Sequence, residues 1–219
     1  MDIGELIFDG PAAAPLTLAL AHGAGAPMDS DFMAAFAAGL GQRGLRVARF
    51  EFPDMARRRR EGGKRPPDRE PVLRAAWRAV IERLAAEGPL AIGGKSMGGR
   101  MASLVAADAP AGPSAPVALV CFGYPFHPPG KPERLRTAHL GGIATPTLIV
   151  QGTRDPFGTR EEVGGYALSP AVELSWAEDG NHDLAPRKAS GRTKEQNWEQ
   201  AMDVAAAFLH ARAPAETVG

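Results

Sequence analysis

Short apolar runs rich in Val, Ile and Leu alternate with segments of helical period along the 219 residues of the chain. Strands that alternate with helices are typical of βαβ units and of a mostly parallel sheet. Most of the runs are apolar on both faces, so we expect helices to cover both sides of a doubly wound sheet of about six or seven strands. The predicted strands are Leu16–Ala21, Arg46–Phe52, Leu90–Gly93, Val117–Phe122, Thr147–Gln151 and Val172–Trp176, with an edge strand at Glu5–Asp9.

Helix signals fill several of the intervals between these strands. Apolar residues recur at three- and four-residue steps from Val72 to Leu84, which predicts a helix with one buried face. A last helix is expected to begin near Thr193, where a capping box with Gln196 is possible. The stretch from Arg57 to Arg69 is highly charged and interrupted by glycine and proline, which predicts a surface loop.

Composition is that of an ordinary globular protein, with 44% hydrophobic and 23% charged residues. We therefore expect one domain over residues 1–219. The 25 basic residues balance the 25 acidic ones, which argues against a nucleic-acid partner. Cys121 is the single cysteine, so no internal disulfide forms. No apolar run approaches the roughly 20 residues that span a bilayer, and the first ten residues lack a basic targeting segment. We expect a cytoplasmic protein that does not bind membranes.

A G-x-S-x-G motif follows the predicted strand at Leu90–Gly93 and precedes a helical segment. Its central residue is Ser96, flanked by Gly94 and Gly98. A nucleophilic serine on a strained strand-to-helix turn needs small residues on either side, because a Cβ atom would clash there. The backbone N–H of Met97, at the start of the helix, is in place to stabilise negative charge on a substrate oxygen. The motif therefore predicts a nucleophile elbow centred on Ser96.

An acid and a histidine follow in the order that such a serine requires. Asp155 comes after the strand Thr147–Gln151, and His182 comes after Val172–Trp176. Both follow the carboxyl ends of predicted parallel strands, where open α/β sheets bind their ligands. Imidazole can take a proton from Ser96 during attack, and a carboxylate can fix its tautomer. Glu178 and Asp179 are the competing candidates for the acid.

A glycine-rich turn directly after the first long strand supplies a second set of backbone donors. This turn contains Ala24 and Gly25, and its small residues let the backbone approach a substrate oxygen. The N–H of Ala24 is the expected partner of Met97 in an oxyanion hole, with that of Gly25 as the alternative. We also expect Gly25, His127 and Lys95 to contact substrate, although Lys95 could instead pair with a nearby carboxylate.

Together these residues resemble the α/β-hydrolase superfamily, and specifically its small dienelactone-hydrolase-like members. The resemblance extends to a bacterial branch related to the hydrolase-like domain of non-specific-lethal complex subunits. It is carried by GGKSMGGRMAS, CFGYPFHPPGKPERLRTAHL, QGTRDPFGTREEV and APRKASGRTKEQNW. It implies the α/β-hydrolase fold and a triad of Ser96, Asp155 and His182. Dienelactone hydrolases use a cysteine nucleophile where this chain has serine, so their lactone substrate does not carry over.

These residues predict a serine hydrolase that cleaves an ester, thioester or related acyl bond of a small molecule. No cofactor is expected, and no histidine and carboxylate cluster has metal-ligand spacing. Only about two dozen residues separate Phe122 from Thr147, which is too few for an inserted cap domain. The alternatives are a non-catalytic module that binds a protein partner, and an RNA-associated protein that uses the arginines of 57–69. The acyl group, the leaving group and the oligomeric state are left open.

Overall fold

The computed structural model describes residues 3–63, 66–109, 112 and 115–214. Its strands are β1 (Ile7–Asp9), β2 (Thr17–Ala21), β3 (Arg46–Phe50), β4 (Leu90–Lys95), β5 (Ala118–Phe122), β6 (Thr147–Gly152) and β7 (Val172–Ala177). Its α-helices are α1 (Asp31–Gln42), α2 (Pro53–Glu61), α3 (Glu70–Ala85), α4 (Met97–Asp108), α5 (Arg160–Val163) and α6 (Lys194–His210). Short 3₁₀ helices lie at Ala138–Gly141 and Lys188–Ser190.

The strands form one seven-stranded sheet in the order β1-β3-β2-β4-β5-β6-β7. Only β1, the edge strand, is antiparallel to its neighbour; the other pairings are parallel. Parallel pairing brings the carboxyl ends of the strands to one edge of the sheet. The loops that follow β2, β4, β6 and β7 therefore meet there. The predicted α/β fold is confirmed.

Helices pack on both faces of this sheet, as the apolar strands predicted. Alternate residues of β2 point to opposite sides, with Leu18 in the core under α1 and α6, and Ala19 in the core under α3 and α4. Trp77 of α3 is fully buried, and its Nε1 donates a hydrogen bond to the carbonyl of Gly98 at 3.2 Å. Core packing thus extends directly beneath the turn that carries Ser96.

The prediction of a loop from Arg57 to Arg69 was wrong for its first part, because α2 runs through Glu61. Pro53 occupies the first turn of this helix, where its fixed φ favours helix formation. The arginines do not simply repel one another. Arg59 donates to Glu51 at 2.5 Å and to Asp29 at 2.8 Å. The residues from 66 to 69 have no regular structure, and residues 64 and 65 lie outside the described part of the chain.

Helix α1 was not predicted, because its sequence combines phenylalanine and alanine with two glycines that usually weaken helices. The structure gives these glycines a packing role. A Cβ atom on Gly39 would lie 2.2 Å from the sulfur of Met202 in α6, and one on Gly41 would lie 2.8 Å from Gly10. Glycine therefore lets α1 approach both α6 and the segment after β1.

The part of the chain that the structure describes has no separate cap domain over the sheet, as predicted. The connection from β5 to β6 contains only the 3₁₀ helix at Ala138–Gly141 as regular structure. Within the described residues, no helix has the length and apolarity needed to cross a membrane.

Candidate active site

Ser96 lies on a sharp turn between β4 and α4, with φ 50° and ψ −115°. Such a conformation is uncommon for a residue with a side chain and is found where a structure enforces it. Both neighbouring glycines are needed. A Cβ on Gly94 would lie 2.6 Å from the carbonyl oxygen of Ala21, and one on Gly98 would lie 2.5 Å from the same atom. A Cβ atom at either glycine would therefore clash, as the motif predicted. The turn holds the serine hydroxyl at the sheet edge.

The structure brings Ser96, His182 and Asp155 into one hydrogen-bonded chain. The Nε2 atom of His182 lies 2.8 Å from the Oγ of Ser96, and its Nδ1 lies 2.8 Å from the Oδ2 of Asp155. With Nδ1 protonated towards the carboxylate, Nε2 is the acceptor for the serine proton. The geometry is therefore that of a nucleophile, a base and an orienting acid within hydrogen-bond reach.

Asp155 is completely buried and its carboxylate is held on both oxygens. Besides His182, its Oδ2 accepts a bond of 2.9 Å from Nε2 of Gln151, and its Oδ1 accepts one of 2.9 Å from the backbone N–H of Phe157. The Gln151 amide also bonds the backbone of Tyr124 on the neighbouring strand's end. These donors compensate for burial of the charge and fix its direction.

The two competing acids serve other partners. Asp179 accepts three hydrogen bonds from the guanidinium of Arg187, and this pairing lowers the pKa of Asp179 to about 2. It also lies 2.8 Å from Arg154. Glu178 is exposed and lies 3.7 Å from Arg160. His182 hydrogen-bonds Asp155 and neither of these two residues.

Lys95 does not line the cavity that opens beside Ser96, which argues against the expected contact with substrate. Its side chain is only 9% exposed and its Nζ donates a 2.8 Å hydrogen bond to the carbonyl oxygen of His182. The same ammonium lies 3.2 Å from Oδ1 of Asp183, the alternative that the sequence left open. Burial lowers the pKa of Lys95, and Asp183 opposes that effect. Lys95 therefore supports the loop that carries the histidine.

Two side chains of α6 hold the same loop from the other side. Asn197 is fully buried and donates to the carbonyl of Leu184 at 2.8 Å. The indole N–H of Trp198 donates to the carbonyl of Asp183 at 2.8 Å. The ring of His182 lies against Phe157, with 4.2 Å between ring centroids. The imidazole is thus fixed by its backbone and by its ring.

A cavity of about 320 Å³ opens beside Ser96. Ala24 and Met97, the expected oxyanion donors, line it together with the serine. Within the described residues, neither of their backbone N–H groups donates to a protein acceptor. Gly25 is exposed and does not line this cavity. Of the two turn residues considered, the structure therefore favours Ala24.

His127 does not line this cavity either, which argues against its expected contact with substrate. Only 2% of the residue is exposed, and its Nδ1 lies 2.9 Å from the carbonyl oxygen of Pro128. Its Nε2 lies 3.5 Å from a carboxylate oxygen of Glu162 in α5. The ring packs between the β5–β6 connection and α5, so it stabilises the loops behind the site.

Sequence reasoning missed several residues of the site. Gln151 was treated only as the end of an apolar strand, although a buried amide there signals a polar partner. Phe157 and Arg100 also line the cavity, and Phe157 packs against His182; no pattern along the chain marked either residue. The charged, proline-rich connection from Tyr124 to Arg136 was expected to form the rim of the pocket, and its Pro125 and Arg136 do line the cavity. Within the described residues, no group of three His, Cys, Asp or Glu side chains is arranged to hold a metal ion.

Comparison with known proteins gives the family. Residues 14–210 match the family described as "Alpha/beta hydrolase domain". The chain belongs to the α/β-hydrolase family. No curated protein matches this α/β hydrolase in sequence.

Solved structures share the fold of this α/β hydrolase over nearly its whole length. XC6422 from Xanthomonas campestris, a serine hydrolase without a lid, is 20% identical with a TM-score of 0.70, covering 96% of this chain and 89% of its own. Dienelactone hydrolase from Anabaena variabilis is 20% identical with a TM-score of 0.71, covering 97% of this chain and 95% of its own. Est1E from Butyrivibrio proteoclasticus, solved with ferulic acid bound, is 15% identical with a TM-score of 0.70, covering 95% and 94%. At these identities the likeness establishes the fold alone.

Proposed function

We propose that this α/β hydrolase is a serine hydrolase that cleaves an ester, thioester or related acyl bond of a small molecule through an acyl-Ser96 intermediate. The observation that carries the proposal is the unbroken chain of 2.8 Å contacts from Ser96 Oγ through His182 to Asp155. Hydrolase and esterase structures with the same fold support the reaction class. Carboxylesters and thioesters remain equal candidates.

In the proposed reaction, the Oγ of Ser96 attacks the acyl carbon while Nε2 of His182 takes its proton. The buried carboxylate of Asp155 stabilises the imidazolium that results. The N–H groups of Met97 and Ala24 would hold the oxygen that becomes negative. His182 then returns the proton to the leaving group. Water, deprotonated by the same histidine, would release the acid and regenerate the serine.

A non-catalytic protein-interaction module is the second candidate. The motif resemblance to the branch related to non-specific-lethal complex subunits motivates it. A binding module does not need a strained Ser96, a tautomer-fixing Asp155 and a histidine loop supported from two sides. Retaining such strain and buried charge without a reaction would cost stability for no gain. The site therefore favours the enzyme over the binding module. The cytoplasmic location stays a prediction from the sequence.

Hydrolysis of 4-nitrophenyl esters of graded acyl length tests the proposal, and matched thioesters test the second bond class. We expect the wild-type protein to hydrolyse at least one series and to show saturation. Ser96→Ala, with its fold verified by circular dichroism, should lose turnover by a factor on the order of 10⁶. Gly142→Ala is a matched surface control, because a Cβ there meets no atom within 4 Å. A folded wild type that is inert on every ester and thioester would contradict the proposal.

A further inference from the structure

The cavity beside Ser96 has charged side chains as well as apolar ones on its wall. Its apolar part includes Leu73, Met101, Pro125 and Phe157. Its charged lining consists of Asp68, Glu70, Arg100 and Arg136. A substrate cavity that is mostly apolar uses its few polar groups to select and orient the ligand. Which of these charges is free to act on a ligand is therefore informative.

Both acids of this wall already have arginine partners. Asp68 accepts a 2.6 Å bond from Arg57. Glu70 lies 3.1 Å from Arg100 and 3.5 Å from Arg74. Among the described residues each of these carboxylates therefore has its charge paired with at least one guanidinium, although the Oδ2 of Asp68 has no hydrogen-bond partner there.

Arg136 has no such compensation. Among the residues that the structure describes, no carboxylate lies within ion-pair distance of its guanidinium, although the residue is partly buried. Burial lowers the pKa of Arg136, and the nearby positive charge of Arg100 lowers it further. A partly buried cation beside a second cation is unfavourable unless an anion joins them.

The backbone of Arg136 is fixed on both sides, so its position is not that of a loose surface residue. Its N–H donates a 2.7 Å hydrogen bond to the carbonyl of Phe126. Its carbonyl accepts a 3.1 Å bond from the hydroxyl of Tyr124, which is fully buried. An anchored arginine loses less entropy when it binds a ligand, since its backbone is already ordered.

Arg100 adds a second guanidinium to the same wall. Within the described residues its buried Nε has no hydrogen-bond partner, while its terminal nitrogen bonds Glu70. Glu70 therefore uses only part of the donor capacity of Arg100. One unpaired cation and one partly paired cation on a single wall suit a ligand with one negative charge better than a dianion.

We infer that Arg136, assisted by Arg100, binds a carboxylate of the substrate, so that this hydrolase acts on acyl compounds that carry one carboxylate besides the scissile bond. Planar guanidinium groups match carboxylates with paired hydrogen bonds. The inference rests on the proposed function and names its substrate class. It involves no new chemical step, because the carboxylate is bound and leaves unchanged.

Two pairs of substrates test the inference. The first compares mono-4-nitrophenyl adipate with 4-nitrophenyl pentanoate, which places the charge in the acyl group. The second compares 4-acetoxybenzoate with 4-methylphenyl acetate, which places it in the leaving group. Spontaneous hydrolysis is measured with Ser96→Ala and subtracted. The readout is the ratio of kcat/KM for the anionic member to that for the neutral member.

We expect Arg136→Gln to reduce this ratio by about tenfold to hundredfold in at least one pair, the value typical of a charge-assisted hydrogen bond. Arg136→Lys should retain part of the ratio, because it keeps the charge but not the planar fork. Arg134→Gln is the matched control, since Arg134 is exposed in the same loop and does not line the cavity. An unchanged ratio in folded Arg136→Gln for both pairs would overturn the inference.

A binding measurement separates failure of this inference from failure of the proposed function. Monoethyl adipate is titrated calorimetrically into Ser96→Ala, and into the same protein with Arg136→Gln added. Binding that disappears with Arg136→Gln and weakens in high salt supports the subsite even if no ester is turned over. Ester hydrolysis without any preference for the anionic members leaves the serine hydrolase standing and refutes the subsite.

Discussion

Replacing Lys95 with methionine removes the ammonium that holds the histidine loop while keeping an unbranched side chain of similar length. In the wild type this ammonium donates to the carbonyl of His182 at 2.8 Å and lies 3.2 Å from Asp183. The Lys95→Met substitution would leave that carbonyl without its donor. The imidazole would still contact Asp155, and Asn197 and Trp198 would still hold the following residues, but the backbone of His182 itself would lose the bond that fixes it near Ser96.

The size of the effect follows from the two contacts. A hydrogen bond from a charged donor contributes about 1.5–3 kcal/mol. The Asp183 pairing adds at most about 1 kcal/mol, because that carboxylate side chain is 65% exposed. If the bond energy is lost from histidine positioning, kcat falls by about tenfold to hundredfold. The free energy of unfolding should change less, since removing a buried cation also removes the cost of its desolvation.

Steady-state kinetics on the best ester, with urea unfolding of the same samples, measures both quantities. We expect the loss in kcat with little change in KM, because Lys95 does not line the cavity. Asp183→Asn keeps the bond from Lys95 to the carbonyl and should stay within about threefold of wild type. Wild-type kcat in folded Lys95→Met, or a change in KM alone, would show that Lys95 does not position the histidine.

Three further predictions concern the acid Asp155, the turn at Gly98 and the pH dependence of stability. Asp155→Asn should lower kcat by a factor on the order of 10⁴ without unfolding the protein, because the histidine loses its correct tautomer. A loss below tenfold in steady-state kinetics would contradict this prediction. Gly98→Ala should destabilise the protein by about 1–3 kcal/mol in urea unfolding and abolish esterase activity, whereas Gly142→Ala should do neither. Burial, with the charge of Arg100, lowers the pKa of His139 to about 4. Between about pH 6.5 and 4 the unfolded chain therefore binds a proton at this residue that the folded chain does not. The free energy of unfolding should fall by about 1–2 kcal/mol as pH decreases through that window, a value reduced because the side chain is partly exposed. His139→Gln should reduce this pH dependence and the exposed His210→Gln should not.

The parts of the site that depend on covalent spacing were predictable from sequence. Gly94, Ser96 and Gly98 are close enough along the chain that steric limits on one turn dictate them. Asp155 and His182 follow from the rule that ligands bind at the carboxyl ends of parallel strands. The sheet was predictable from the apolar strands and their helical intervals for the same reason, because each signal is local.

Contacts between distant segments were not predictable. Lys95 and His182 are far apart in sequence, and only the packing of the histidine loop against the end of β4 joins them. The charged loop that ends at Arg136 was expected at the rim of the pocket, but which of its side chains lines the Ser96 cavity depends on the path of the β5–β6 connection. Helix α2 was missed because the segment is highly charged and is interrupted by glycine and proline, and the acidic partners of Arg59, Glu51 and Asp29, lie in loops outside it. Pairing between side chains of distant segments decides whether such a helix or contact forms, and no local pattern in the sequence reports that pairing.

The proposed function requires that Ser96 be a nucleophile activated by His182. Labelling the folded protein with a fluorophosphonate and locating the adduct by peptide mass spectrometry tests it most directly. We expect one adduct, on Ser96, that is lost in Ser96→Ala and forms far more slowly in His182→Ala. A folded wild-type protein that stays unlabelled, or that carries the adduct on another residue, would contradict it.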